Sequence, residues 1–173
     1  MRDYVILTGI IIKTSPVNDY DRRLVILTKE RGKITVFARG ARRQGSRNMA
    51  ATNPFCFGQF KLFEGKDAYN LGEAEISHYF EELRTDYEAM CLGSYFLEYA
   101  DYYTRENNDE LEMLKLVFQS LRALIKKSID NNLVKVIYEL KALCVNGEFP
   151  GVPANRSRRL CMTICCGNSR PIF

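Results

Sequence analysis

The sequence predicts an α+β fold in which a small five-stranded barrel comes first, an all-helical domain follows and an irregular tail comes last. Three observations support this prediction. Apolar residues alternate with a period of two up to about Tyr79, and after it they recur every three or four residues, as in amphipathic helices. Turn residues divide the first part into short strands, and residues 151–173 follow neither period. The predicted domains are residues 1–79, 80–150 and 151–173.

Five short segments rich in β-branched and aromatic residues are predicted as strands. They are residues 4–13, 23–28, 32–39, 55–63 and 68–76. Tight turns with a glycine join the second strand to the third and the fourth to the fifth, so the only long connection follows the third strand. This order is typical of an oligonucleotide-binding barrel, or OB-fold. SH3-like barrels share the strand count, so the count alone leaves both folds open.

Three helices are predicted after the barrel. Thr85 and Glu88 have the spacing of a capping box, which predicts the start of the first helix. Asp109 favours the start of the second, because a carboxylate stabilises the positive end of a helix. Gly147 and Pro150 predict the end of the third helix.

The apolar stripes of these helices predict the core of a bundle. The first stripe contains Tyr87, Cys91, Tyr95, Leu97 and Tyr102. The second contains Leu111, Leu114, Val117, Phe118, Leu121, Leu124 and Ile125. The third contains Leu133, Val136, Ile137, Leu140 and Leu143. A docking surface for a partner is the alternative for one of these stripes.

Charge is divided unevenly along the chain, although the net charge is only +4. Residues 1–80 carry 13 Lys and Arg against 8 Asp and Glu, residues 81–150 carry 8 against 13, and residues 151–173 carry 4 against none. A basic first half indicates contact with a polyanion, whereas the acidic second half indicates a different partner, such as a protein.

The strongest functional signal is a group of cations on the third strand and in the connection after it. Side chains alternate along a strand, so Ile34 and Val36 face the barrel interior while Lys33, Phe37 and Arg39 share the outer face. Cations track a phosphate backbone, and an exposed ring can stack on a base. The predicted nucleic-acid-binding residues are Lys29, Arg31, Lys33, Phe37, Arg39, Arg42, Arg43 and Arg47. The alternative for the strand alone is a solvated face without a ligand.

No residue pattern predicts catalysis. Gly40 and Gly45 bracket four residues, as in a phosphate-binding loop, but Ser46 stands where that loop requires Lys. His78 has no nucleophile motif around it, which favours a structural role at the junction of the two halves. The carboxylates of the basic half are scattered, whereas a metal-dependent nuclease needs them clustered. We therefore predict that the protein is not an enzyme.

The six cysteines favour reduced thiols, because the sequence shows no secretory signal and is large enough to fold on its own core. The less favoured alternative is a zinc site built from Cys144, Cys161, Cys165 and Cys166, whose spacing matches paired zinc knuckles poorly. The prediction is a protein without a cofactor. No apolar run reaches the length of about 18 residues that a membrane span needs. We expect a cytoplasmic protein that does not bind membranes.

Several short strings, taken in order and spacing, resemble the RecO family of bacterial recombination mediators. They are TKERGK at residues 28–33, ARGARR at 38–43, SR at 46–47, PF at 54–55, Leu71 with Glu73 to Glu75, and YFLE at 95–98. The resemblance covers about residues 4–150. Family members usually continue beyond this length, and many carry paired C-x2-C knuckles, which the atypical or truncated tail does not match.

The resemblance implies an OB-fold barrel joined to a helical domain, without catalytic activity. It implies binding and annealing of single-stranded DNA and help in loading the recombinase RecA onto strands coated by the single-strand-binding protein SSB. RecR and SSB are the implied protein partners, RecA an indirect one, and the nucleoid the implied location. Among the family's functional features, only DNA contact by the basic hairpin and loop can be assigned to residues of this sequence.

One rival from another functional class remains open at this point. A basic barrel can also bind an acidic protein surface or RNA, as a protein-interaction module with no role in DNA repair, and this explains the division of charge equally well. It does not explain why Phe37 stands among cations on one face of a strand.

Overall fold

The computed structural model describes residues 4–66, 68–126 and 128–148. Five strands come first: β1 (Tyr4–Val17), β2 (Asp21–Thr28), β3 (Gly32–Ala38), β4 (Phe57–Glu64) and β5 (Tyr69–His78). A short helix, α1 (Asn48–Ala51), lies between β3 and β4. A 3₁₀ helix (Glu81–Thr85) then leads into α2 (Tyr87–Tyr103), α3 (Leu111–Ile125) and α4 (Asn131–Val145).

The strands form a closed barrel in the order β1-β2-β3-β5-β4. Two pairings close it: β4 returns antiparallel to β1, and β5 lies parallel to β3, with Val36 opposite Tyr69. This closure is the topology of a small OB-like Greek-key barrel. It confirms the predicted fold class and resolves the choice that the strand count left open.

Strand β1 is buried on both of its faces along the run Ile10, Ile11 and Ile12. Ile11 points into the barrel, whereas Ile10 and Ile12 pack against the helices. The pairing register of β1 with β2 shifts between Ile11 and Lys13, and such a bulge bends a strand and redirects its side chains. The continuous apolar run therefore reflects a strand that serves two cores.

The barrel and the helices share the core to which Ile10 and Ile12 belong. Phe118 of α3 lies with its ring centroid 4.5 Å from that of Phe57, 5.2 Å from that of His78 and 5.6 Å from that of Phe80. Burial, with Arg122 nearby, lowers the pKa of His78, so its ring packs as a neutral aromatic group. The division at residue 79 stays a prediction, since the packing is continuous across it.

Two details of the predicted first helix are wrong. Its N-cap is Asp86, whose carboxylate accepts a hydrogen bond from the backbone N–H of Ala89 at 3.1 Å. Thr85 instead ends the 3₁₀ helix, and its hydroxyl donates to the Glu82 carbonyl at 2.7 Å. The core face also differs from the predicted stripe, because three of its predicted residues, Tyr87, Cys91 and Tyr102, are exposed. The buried residues of α2 are Ala89, Gly93, Phe96, Leu97 and Ala100.

Helix α3 agrees with its predicted stripe, but α4 does not. Leu133, Val136 and Leu140 were expected in the core, yet they are 47%, 50% and 50% exposed. The face that packs inward is Val134, Tyr138 and Ala142. The Tyr138 ring stacks on Phe96 at 4.0 Å between centroids, and its hydroxyl donates to the Phe96 carbonyl at 2.9 Å.

Helix α4 ends at the predicted glycine. Gly147 has φ +73°, its N–H donates to the Cys144 carbonyl at 3.2 Å, and the N–H of Glu148 donates to the Leu143 carbonyl at 3.0 Å. These are the two hydrogen bonds of a Schellman motif, in which glycine removes the steric cost of a positive φ. Pro150 lies outside the described residues.

The cysteine prediction falls largely on the tail. Cys161, Cys165 and Cys166 lie outside the described residues, and Cys144 is exposed on α4. Within residues 4–66, 68–126 and 128–148, no group of three His, Cys, Asp or Glu side chains is placed to hold a metal ion. In the same ranges, no helix is both long and apolar enough to cross a membrane.

Candidate nucleic-acid interface

On the outer face of β3, Phe37 lies between a polar residue of β2 and a polar residue of β5. Lys33, Thr35 and Phe37 point outward and Ile34, Val36 and Ala38 inward, as predicted. Arg23 of β2 and Asn70 of β5 lie directly opposite Phe37 in the barrel. Residues opposite each other in paired strands share a face, so an exposed guanidinium stands beside the half-buried phenyl ring. Arg23 is absent from the predicted binding residues, although the register of the β2–β3 hairpin places it opposite Phe37.

Lys33 lies on this face, but its ammonium group is already engaged. Its Nζ is 2.6 Å from the backbone carbonyl oxygen of Asp101 and 3.2 Å from that residue's carboxylate. Only 20% of the Lys33 side chain is exposed. A cation held by two acceptors on α2 is poorly placed to neutralise a phosphate, so Lys33 does not form part of the open surface that the sequence predicted.

Arg31 is also paired. Its guanidinium donates to the Glu64 carboxylate at 2.6 Å and to the Tyr69 hydroxyl, and these hydrogen bonds raise its pKa. This contact joins the β2–β3 hairpin to the β4–β5 hairpin. The structure therefore separates Arg31 and Lys33 from the other predicted cations, whereas Lys29 is exposed at the hairpin tip.

The β2–β3 hairpin is held against the connection between α2 and α3. Gly32 has φ +64°, and a Cβ atom there would clash with the carbonyl oxygen of Asn108. The N–H of Lys33 donates to the Arg105 carbonyl at 3.3 Å, and Gly32 forms a β-bridge with Glu106. Glycine is required here because both its backbone angle and the close approach exclude a side chain.

We predict that Lys33→Ala lowers the free energy of unfolding by about 1–2 kcal/mol, because it leaves the Asp101 carbonyl and carboxylate without this donor. We expect little change in nucleic-acid affinity. Lys13→Ala is the matched control, since Lys13 contacts the same carboxylate at 3.4 Å but is exposed. Urea unfolding and fluorescence anisotropy with an oligonucleotide measure the two effects, and a large loss of affinity without loss of stability would return Lys33 to the interface.

The long loop between β3 and β4 is anchored at both ends. The N–H of Gly40 donates to the Asp21 carboxylate at 2.7 Å, and the N–H of Arg42 donates to the Tyr20 carbonyl at 2.9 Å. At the other end, the Arg22 guanidinium donates at 2.9 Å both to the Thr52 hydroxyl and to the Asn53 side-chain oxygen. The loop is therefore held against the β1–β2 turn at one end and against Arg22 of β2 at the other.

Four arginines project from this loop, and we call them the loop arginines. They are Arg39, Arg42, Arg43 and Arg47, all of them exposed. Arg39 follows β3 rather than ending it, which corrects the predicted strand boundary. Arg43 lies over the ring of Tyr20, 5.3 Å from its centroid, and Arg42 reaches the Asn18 carbonyl at 3.4 Å.

None of the loop arginines forms an ion pair with a carboxylate in the part of the chain that the structure describes. Their charge is thus uncompensated at short range, in contrast to that of Arg31 and Lys33. The candidate interface consists of these arginines together with Phe37 and Arg23, which lie at the end of the β2–β3 hairpin where the loop begins, whereas Lys29 lies at the opposite end of that hairpin. Exposed cations near an aromatic ring can contact phosphates and stack on bases.

Comparison with known proteins gives the family. The chain matches the family model "Recombination protein O N terminal" over residues 1–80 and "Recombination protein O C terminal" over residues 84–152. Two relatives named "DNA repair protein RecO" come from Clostridium acetobutylicum, 34% identical over 140 residues, and Acetivibrio thermocellus, 30% identical over 150 residues. A third, from Desulforudis audaxviator, is 34% identical over 142 residues.

These alignments cover 80%, 87% and 82% of this chain, and 56%, 60% and 56% of the respective relatives. The chain thus spans little more than half the length of the curated relatives that it matches. The two family models together cover most of its residues, in the order of the barrel and the helices described above. The chain therefore belongs to the RecO family.

Proposed function

We propose that the protein binds single-stranded DNA and anneals complementary strands in recombinational DNA repair. The observation that carries this proposal is Phe37, half-buried on the outer face of β3 opposite Arg23, at the end of the strand from which the loop with its four exposed arginines begins. Cations that follow a phosphate backbone and a ring that stacks on bases are the two components of sequence-independent single-strand binding. The name of the relatives, DNA repair protein RecO, supports a role in DNA repair.

The proposed mechanism requires no bond chemistry. Loop arginines that neutralise the phosphates of two strands reduce the repulsion between them, while the base edges stay free to pair. Phe37 stacks on a base of one strand and limits its sliding. Arg31 and Lys33 are omitted from the proposed contacts, because their nearest partners are Glu64 and Asp101.

The partners follow from family membership and are part of the proposal. The protein would help load a recombinase onto DNA coated by the single-strand-binding protein SSB, with RecR and SSB as direct partners and RecA as an indirect one, at the nucleoid. The acidic character of residues 81–150 supports a protein partner there rather than DNA. Such partners would leave the basic loop open to a strand.

The test compares Phe37→Ala with Tyr102→Ala. Tyr102 is also an accessible aromatic residue, but it lies on α2, outside the barrel, and is 82% exposed. We expect Phe37→Ala to weaken oligo-dT binding by about 1–3 kcal/mol, with an unchanged salt slope, because stacking is lost and phosphate contacts are kept. Tyr102→Ala should bind as the unmodified protein does.

An annealing assay with complementary oligonucleotides completes the test. We expect acceleration by the unmodified protein and a reduced effect of Phe37→Ala. Equal binding of oligo-dT and an unrelated polyanion, with no acceleration of annealing, would contradict the proposal and favour a module that binds acidic proteins. A labelled DNA that is cut when magnesium is present would contradict the absence of catalysis.

A further inference from the structure

The turn between β1 and β2 carries an exposed aromatic ring. Tyr20 lies in this turn and is 53% exposed. The turn itself does not require an aromatic residue, because Asn18, with φ +52°, and Asp19 are the polar residues typical of tight turns. Turn chemistry therefore does not account for the ring.

Two contacts fix Tyr20 relative to the β3–β4 loop. The guanidinium carbon of Arg43 lies 5.3 Å from the centroid of the Tyr20 ring, within the range of a cation–π contact. The backbone N–H of Arg42 donates to the Tyr20 carbonyl at 2.9 Å. Because Tyr20 stays about half exposed with Arg43 over its ring, part of the ring surface remains open to a ligand.

Tyr20 also lies close to the other ring of the candidate interface. Arg23, which pairs with Phe37 across the β2–β3 hairpin, follows Tyr20 by three residues. An extended chain spans at most about 3.6 Å per residue, so the backbones of Tyr20 and Arg23 are at most about 11 Å apart. Phosphates of one strand follow each other about every 3.4 Å along a duplex, so this distance corresponds to a few nucleotides.

We propose that Tyr20 is a second base-stacking position, and that Phe37 and Tyr20 hold two bases of the same single strand. Arg43 contacts a phosphate between or beside these bases. A guanidinium that stacks on a ring keeps N–H donors in its plane for a phosphate, and Arg43 forms no ion pair with a carboxylate among the described residues. The inference rests on the proposed function and adds to it a path for the strand, from β3 to the β1–β2 turn.

The charges beside Tyr20 favour a base over a phosphate at the turn. Carboxylates flank Tyr20 in sequence: Asp19 is exposed, and Asp21 accepts a hydrogen bond from the Gly40 N–H at 2.7 Å. A phosphate at the turn would be repelled by these charges, whereas an uncharged base would not. The turn therefore contributes the ring, and the loop contributes the cation.

The test uses two probes of equal length, oligo-dT and an abasic deoxyribose-phosphate chain, which keeps the phosphates but has no bases. In fluorescence anisotropy at low salt, Tyr20→Ala should weaken the binding of oligo-dT about tenfold and change that of the abasic chain less than about twofold. Tyr20→Phe keeps the ring and should bind both probes as the unmodified protein does. Tyr87→Ala is the matched control, because Tyr87 is 79% exposed on α2, outside the barrel, and should change neither affinity.

The abasic probe separates stacking on Tyr20 from a role in holding Arg43. If Tyr20 only positions Arg43, Tyr20→Ala weakens the binding of both probes and lowers the salt slope by about 0.7, and the proposal is overturned. Unchanged binding of oligo-dT by Tyr20→Ala overturns it as well. Circular dichroism verifies that the variants fold; should Tyr20→Ala fail that control, Tyr20→Leu replaces it, since it keeps apolar bulk without a ring.

Combining Tyr20→Ala with Phe37→Ala tests whether the two rings hold different bases. The losses of affinity should then multiply, because separate contacts contribute independently. A combined loss no larger than that of one single variant would contradict the proposed path. If Phe37→Ala weakens binding and Tyr20→Ala does not, the second stacking position is wrong and the proposed function stands. If the unmodified protein binds no oligo-dT, both are wrong.

Discussion

Replacing Arg39, Arg42 and Arg43 together with Ala is expected to reduce the salt dependence of single-stranded DNA binding by a slope of about 2. Each lost phosphate contact lowers the slope of log K against log salt by about 0.7 on single strands. None of these three loop arginines forms an ion pair with a carboxylate among the described residues. The affinity ratio between the unmodified protein and the variant should therefore grow about fifteenfold when salt falls from about 200 to about 50 mM.

Fluorescence anisotropy at several salt concentrations measures this effect. Arg84→Ala combined with Arg105→Ala is the matched control, because both side chains are exposed but lie outside the candidate interface. The control should keep the original slope. If the loop variant also keeps it, the arginines do not contact phosphate, and the proposed interface is wrong even if DNA is bound elsewhere.

The largest expected effect on stability comes from Phe118→Ala. This substitution removes the ring that contacts Phe57, His78 and Phe80, and we expect the free energy of unfolding to fall by about 3–5 kcal/mol. Because the ring belongs to the core shared by the barrel and the helices, both should unfold in one transition. Urea unfolding followed by circular dichroism and by tyrosine fluorescence tests this.

Tyr102→Ala is the control for this experiment. Its side chain is 82% exposed on α2, so we expect a change within about 0.5 kcal/mol. Two separated transitions, with only the helical one shifted by Phe118→Ala, would show that the barrel is stable on its own and that the shared core does not couple the two parts.

The barrel could be predicted from sequence because β3 follows a two-residue period and turn residues separate it from the neighbouring β-rich segments. In β3 every second residue is buried, which is the pattern expected when one face forms a core and the other meets solvent. Helix α3 was equally predictable, since its core-facing stripe is continuous from Met113 to Leu124. The run Ile10 to Ile12 was identified as a strand, but its burial on both faces became visible only with the helices in place.

Predictions from sequence were wrong where tertiary contacts decide between local alternatives. Thr85 and Asp86 are both good N-cap residues, and the preceding 3₁₀ turn determines which of them caps α2. In α4 two apolar faces compete for one core, and periodicity cannot rank them when Tyr138 fills the space beside Phe96. For Lys33 the decisive partner, Asp101, lies 68 residues away in sequence, so the ion pair could not be anticipated.

The two anchors of the β3–β4 loop limit the conformational entropy that the loop backbone would lose on binding a DNA strand. The backbone from Gly40 to Arg42 and the segment around Thr52 are already fixed in the folded protein, and the turn between them is closed by its own hydrogen bond from the Ser46 N–H to the Arg43 carbonyl at 3.0 Å. Freezing a mobile residue costs about 1–2 kcal/mol of conformational entropy. Much of that cost is met when the chain folds, so under the proposed function a DNA strand would bind the guanidinium groups without further ordering of the loop backbone.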